Sequence, residues 1–178
     1  GHPRFDRDVL MMLSAWAIAD GGGHGATPGG HANAMAGMAY NYFTINGKAY
    51  PDTPEWTVKR GEVVRVRIAN VSNLIHPMHL HGHDFAVLAK DGEPLKNPQP
   101  MNTVNVAPGE TYDIAFVANN PGAWLFHCHE LHHTMNGSSQ PGGLIQIIRY
   151  KDGPPPAQPS TVPRPAPPAG GGGHGRGH

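Results

Sequence analysis

The chain has 178 residues, enough for one domain of ordinary size with extensions, and its Lys+Arg and Asp+Glu totals balance at 13 each. That balance offers no basic surface for nucleic acid or an anionic membrane, and no run approaches the roughly 18 apolar residues of a membrane-spanning helix. A single cysteine excludes an internal disulfide framework, whereas 13 histidines are a clear excess.

In chain order, VLMMLSAWAIA (residues 9–19) comes first, following Arg4 and Arg7 and ending in small residues, a pattern shared with secretory signals. Asp6 and Asp8 among the basic residues argue for a strand of a globular body instead. DGGGHGATPGGHANAMAGMA (20–39) reads as a Gly/Ala-rich linker, which sets residues 1–40 apart from the strand-rich middle of the chain. YNYFTINGKAY (40–50) is two β-prone runs around Asn46-Gly47, the dipeptide of a tight hairpin turn. EVVRVRIANV (62–71) and ETYDIAFVA (110–118) alternate apolar with polar side chains, as half-buried strands do. AWLFHC (123–128) comes after the turn signal Pro121-Gly122, and GGLIQIIRY (142–150) reads as a last strand. Short strands separated by turn signals, without helical periodicity, predict an antiparallel sandwich or barrel over residues 41–150. Residues 151–178, Pro-rich and then Gly-rich, are expected to be an extended or disordered tail.

Most of the histidines fall in two motifs, HPMHLHGH (76–83) and FHCHELHH (126–133). Pro77 suits a strand beginning, so the first motif's strand is expected from about Met78. Alternation along a strand puts His79 and His81 on one face and His76 toward the other. In HCH it points His127 and His129 one way and the lone Cys128 the opposite way. Adjacent strands would then carry two sites: a thiol with His76 and His133, and a cluster of imidazoles alone.

Thiolate with two imidazoles is the trigonal donor set of a blue copper centre, and an all-imidazole face also suits copper. Structural zinc sites normally carry paired cysteines, and a Cys-His nucleophile would leave the HxH pair unexplained. The backbone through Cys128 joins the two faces covalently, a placement fit for electron transfer.

With those motifs in place, HPMHLHGH and HCHELHH resemble the two C-terminal copper motifs of multicopper oxidases, the laccase, ascorbate oxidase and bacterial copper-resistance oxidase group. YNYFTINGKAYPDTPEWTVKRGEVVRVRIANVSN and NPGAWLFHCH extend the similarity across residues 41–150, with the first strand looking like the end of a preceding domain. The resemblance implies an all-β, cupredoxin-like Greek-key sandwich or barrel. It implies that His76, Cys128 and His133 bind a type 1 copper, that His79 is a type 2 ligand, and that His81, His127 and His129 are type 3 ligands of a trinuclear cluster. Electrons would pass through Cys128 to His127 and His129, and dioxygen would be reduced to water.

Two departures stand out. The family commonly places Met or Leu ten residues after the cysteine, where this chain has Ser138; Met135 is the nearest methionine. The family also draws half of its cluster histidines from an N-terminal cupredoxin domain. Here His2, His24, His31, His174 and His178 form no HxH pair, so the expected reading is the C-terminal part of a longer oxidase, or a chain completed by another subunit. Reducing substrates would be phenols, aromatic amines, Cu(I) or Fe(II), and the setting periplasmic or extracellular. A non-catalytic module binding one copper for electron transfer or metal handling is the alternative, which leaves the HLH and HCH imidazoles without a role.

Weaker features remain. His83 and His132, next to proposed ligands, read as packed or solvated residues with ligand orientation as the alternative. Met35, Met38 and His31 offer a Cu(I) site, against the plainer reading of incidental methionines in a loop. Trp124 reads as core.

Overall fold

The computed structural model describes residues 4–18 and 40–153. The expected linker with His24, His31, Met35 and Met38, the tail beyond residue 153 with His174 and His178, and His2 lie outside the described residues. The strands are β1 (Arg7–Trp16), β2 (Tyr42–Ile45), β3 (Trp56–Val58), β4 (Val63–Asn70), β5 (His76–Leu80), β6 (Phe85–Lys90), β7 (Glu93–Pro94), β8 (Pro100–Met101), β9 (Thr103–Val106), β10 (Thr111–Val117), β11 (Ala123–Cys128) and β12 (Ile145–Tyr150). One 3-10 turn, Leu131–Thr134, comes after β11. No helix among the described residues is long and apolar enough to cross a membrane.

Two sheets form the expected all-β sandwich. One runs β2-β1-β4-β10-β6-β7 with β8 added to β6, and the other runs β3-β12-β11-β5-β9. In β4 the alternation read from sequence is realised: Val64, Val66, Ile68 and Asn70 are buried, while Arg65 and Arg67 turn outward, where both pair with Asp8. Phe85 and Phe116 from the first sheet and Phe126 and Ile148 from the second fill the space between, each such side chain contributing about 1.5–3 kcal/mol by leaving water.

Three expectations need correction. Residues 7–16 do not close a preceding domain: β1 lies inside the first sheet, parallel to β4 from Arg7↔Val64 to Leu13↔Asn70 and antiparallel to β2. Its apolar side chains Met11 and Leu13 are fully buried in this domain's own core. The Asn46-Gly47 turn forms, with both residues at positive φ and Ile45 and Lys48 exchanging backbone hydrogen bonds. Its second arm, however, is a single bridge, because β2 pairs with β1, where the Asn46 side chain bonds Leu10 and Met12. Pro77 sits inside β5 and not before it. Cys128, the last residue of β11, pairs with Met78, so Pro77 faces the main chain just past that strand's end. There its carbonyl accepts from His129 N–H, while its missing N–H leaves this last pair with a single hydrogen bond, a loss confined to the end of the ladder.

Between β5 and β6 the chain turns at Gly82, in the left-handed region at φ 69°, with the Trp124 ring against its Cα. A Cβ there would lie 2.5 Å from that ring, which is itself held by its Nε1 donating to Asn120 O at 2.7 Å. Gly92 has φ 85° and open space around it. Gly92→Ala is expected to cost about 1 kcal/mol from backbone conformation alone. Gly82→Ala adds the ring collision and should cost at least about 2 kcal/mol, as compared by urea denaturation.

Candidate metal centre

The two central strands of the second sheet meet in register, with Phe126↔Leu80, His127↔His79 and Cys128↔Met78. Because side chains alternate, that pairing separates the motif residues into two populations. His76, Met78 and Leu80 on β5, with Phe126 and Cys128 on β11, point into the sandwich and are buried. His79, His81, His127 and His129 lie on the outer side and retain solvent contact.

On the inner side the 3-10 turn brings His133 back over Cys128. Cys128 Sγ lies 3.4 Å from His133 Nδ1 and 3.9 Å from His76 Nδ1, and the two Nδ1 atoms are 3.1 Å apart. All three donor atoms fall within 4.8 Å of one another, and all three residues are buried. Burial, then the charge of His133, pushes His76 down to about 4, and burial does the same to His133. Burial pushes the Cys128 thiol up to about 12. At neutral pH the metal-free set is therefore two neutral imidazoles and a protonated thiol.

On the outer side His81 Nε2 and His127 Nε2 are 3.0 Å apart, and the His79 ring centre lies 4.8 Å from that of His81 and 5.5 Å from that of His129. His79 Nδ1 donates to Asn102 O, and His127 Nδ1 donates to Cys128 O. Carbonyls only accept, so both rings carry their lone pair on Nε2, and that of His127 faces His81 Nε2. Burial lowers the pKa values of His81 and His127, with neighbouring imidazoles adding to the effect. His79 and His81 border an open depression that Asn102 and Asn119 also line. Cys128 thus sits with a donor set on its own side and His127 and His129 bonded to it on the other.

His83, singled out in the sequence, is buried, with its Nε2 2.6 Å from Tyr150 Oη and its Nδ1 donating to His81 O at 3.1 Å; it is packed, and it also holds the turn that carries His81. His132 is exposed and donates to Tyr40 O. Trp124 is half-buried against the core. Ser138 is exposed in the loop before β12, and Met135 is half-buried. The residue tied to the inner site is instead Leu144: it is fully buried, its carbonyl accepts from Cys128 N at 3.0 Å, and its N–H donates to His133 O at 2.9 Å. Counting along the chain missed it because the loop after His133 lengthens the path. Sequence reasoning also missed Phe43, whose ring centre lies 4.4 Å from that of His133, and Ser72, whose Oγ lies 2.8 Å from His76 Nε2. Asn70 had left a signal, being a polar residue in the buried phase of β4.

Known copper oxidases are similar to this chain in sequence and fold. The chain is 37% identical over 100 residues to the multicopper oxidase MmcO of Mycobacterium tuberculosis, a match covering 56% of this chain and 19% of that protein. Among solved structures, the blue copper oxidase from Nitrosomonas europaea is 38% identical with a TM-score of 0.69, covering 80% of this chain and 43% of that one. The multicopper oxidase mgLAC is 41% identical with a TM-score of 0.72, covering 89% and 48%. The sandwich is therefore cupredoxin-like, and the chain spans less than half the length of these relatives. The multicopper oxidase family pattern matches residues 27–141, well over half of the sequence, and the chain belongs to the multicopper oxidase family.

Proposed function

We propose that this chain is the copper-binding C-terminal part of a multicopper oxidase, oxidising phenols, aromatic amines or metal ions one electron at a time and reducing dioxygen to water. The convergence of Cys128 Sγ with the Nδ1 atoms of His76 and His133 carries this reading. One soft sulfur and two imidazole nitrogens are the donors of a trigonal copper site. A structural zinc site takes four ligands, and among the described residues no fourth His, Cys, Asp or Glu joins this group.

In this reading His76, Cys128 and His133 hold a type 1 copper, and His79, His81, His127 and His129 supply half of the ligands of a type 2/type 3 cluster. The other half comes from an N-terminal cupredoxin domain, in the same longer chain or in another subunit. Bound copper would supply one-electron redox chemistry on the inner side and dioxygen reduction on the outer. The protein's part is to exclude water from the inner donors, to aim their Nδ1 lone pairs inward and the outer Nε2 lone pairs outward, and to join the sides through Cys128. The outward imidazoles favour an oxidase over a single-copper module, which has no use for them. Leu144, fully buried and hydrogen-bonded through its main chain to Cys128 and His133, would border a copper held there, whereas Ser138 is exposed. A periplasmic or extracellular setting, where dioxygen and copper are supplied, belongs to the same proposal.

Reconstitution of the chain with copper is expected to give a thiolate-to-copper absorption band that Cys128→Ser abolishes. Absence of the band in the unaltered chain would overturn the proposal. Copper binding must displace the thiol proton but none from the imidazoles, so about one proton per inner-site copper should be released at pH 7. Inner-site affinity should accordingly rise about tenfold per pH unit between about pH 4 and 12, and more steeply below that window, where His76 and His133 are also protonated. Calorimetry of the Cys128→Ser variant beside the unaltered chain, in buffers of different ionisation enthalpy, isolates that release. Leu144→Met, by adding a thioether donor, should lower the reduction potential measured by redox titration, whereas Ser138→Met should leave it unchanged.

A further inference from the structure

Beside the inner site runs a buried polar chain made of Asn70, Ser72 and the far nitrogen of His76. Asn70, at the end of β4 and 2% exposed, points its Nδ2 at two carbonyls, Leu74 O at 2.7 Å and Val106 O at 2.9 Å. Its Oδ1 receives the Ser72 backbone N–H at 2.9 Å. Both ends of the amide thus face groups of fixed character, and its orientation is determined.

The Ser72 hydroxyl then has little freedom. Its Oγ lies 2.8 Å from Asn70 Oδ1, an acceptor, and receives Leu74 N–H at 3.2 Å. A hydroxyl has one proton; sent toward His76 Nε2, it would leave two acceptor oxygens facing each other at 2.8 Å. The proton therefore goes to Asn70 Oδ1, and the contact between Ser72 Oγ and His76 Nε2 at 2.8 Å needs its hydrogen from the imidazole. With Nε2 protonated, neutral His76 has its lone pair on Nδ1, the atom that faces Cys128 Sγ and His133 Nδ1.

We infer that Ser72, fixed by Asn70, is a positioning residue that selects the Nε2–H tautomer of His76 and so presents Nδ1 as a ready metal ligand. This deepens the proposed copper function and rests on it for the identity of the metal. Removing such a partner of a ligating histidine typically weakens metal binding by about 10–100-fold. Asn70 also bridges the two sheets through Val106 O, so its replacement would confound folding with positioning; Ser72 lies in a half-buried loop and is the cleaner site.

The test uses the full chain and Ser72→Ala, with Ser72→Thr to restore the hydroxyl. Nitrogen-15 chemical shifts of the His76 ring in the metal-free chain read the tautomer without copper. Nε2–H is expected in the unaltered chain and in Ser72→Thr, and a mixed or inverted tautomer in Ser72→Ala. Copper affinity, by competition with a chelator, should fall at least about tenfold in Ser72→Ala and recover in Ser72→Thr. An Nδ1–H tautomer in the unaltered chain overturns the proposal, as does a Ser72→Ala variant with unaltered tautomer and affinity. A chain showing the expected tautomers but no thiolate-to-copper band would sink the copper assignment and leave the positioning role of Ser72 standing.

Discussion

The antiparallel pairing of β5 with β11, in which His127 lies opposite His79 and Cys128 opposite Met78, is the constraint on which everything else depends. Side chains along a strand alternate with a period of two, so a slip of one residue would carry Cys128 to the surface and His127 into the core. Hydrophobic burial holds the register. Met78 and Leu80 on one strand and Phe126 on the other are fully or almost fully buried on the face that Cys128 shares, and exposing them would cost several kcal/mol. The apolar core thereby sorts the donors of two chemically different sites onto opposite faces of one sheet.

Burial has a second consequence. Withdrawing two imidazoles and a thiol from water disfavours their charged forms, so the inner donors wait as neutral groups. Neutral imidazoles are ready ligands, while the protonated thiol is shielded from adventitious chemistry until a metal takes the place of its proton. On the outer face, carbonyls of Asn102 and Cys128 accept from Nδ1 and leave Nε2 outward. Tautomer choice is in each case made by a neighbour of fixed hydrogen-bonding character.

The strand at 123–128 was legible from the turn signal before it, and those at 62–71 and 110–118 because apolar and polar side chains alternate along them. The division of the histidines into two faces was legible for the same reason. The place of β1 was not: an apolar run announces burial, but its partners β4 and β2 are distant in sequence, and only the sheet shows that it belongs to this domain. Nor was Leu144 legible. Spacing pointed to Ser138, and only main-chain hydrogen bonds to Cys128 and His133 show which residue returns to the site after the loop. Pro77 was misjudged because whether a missing N–H matters depends on where the neighbouring strand ends.

By itself the sequence determined the fold class, the donor types and their separation into a thiol-containing and an all-imidazole set, since these arise from local alternation and the chemistry of the side chains. Tertiary structure alone decided how closely His133 returns to Cys128, that Leu144 and Phe43 border the inner site, and that Asn70 and Ser72 reach His76 Nε2. Those contacts join residues brought together by sheet packing and loop closure. They depend on where several strands end relative to one another, a relation that no local pattern along the chain encodes.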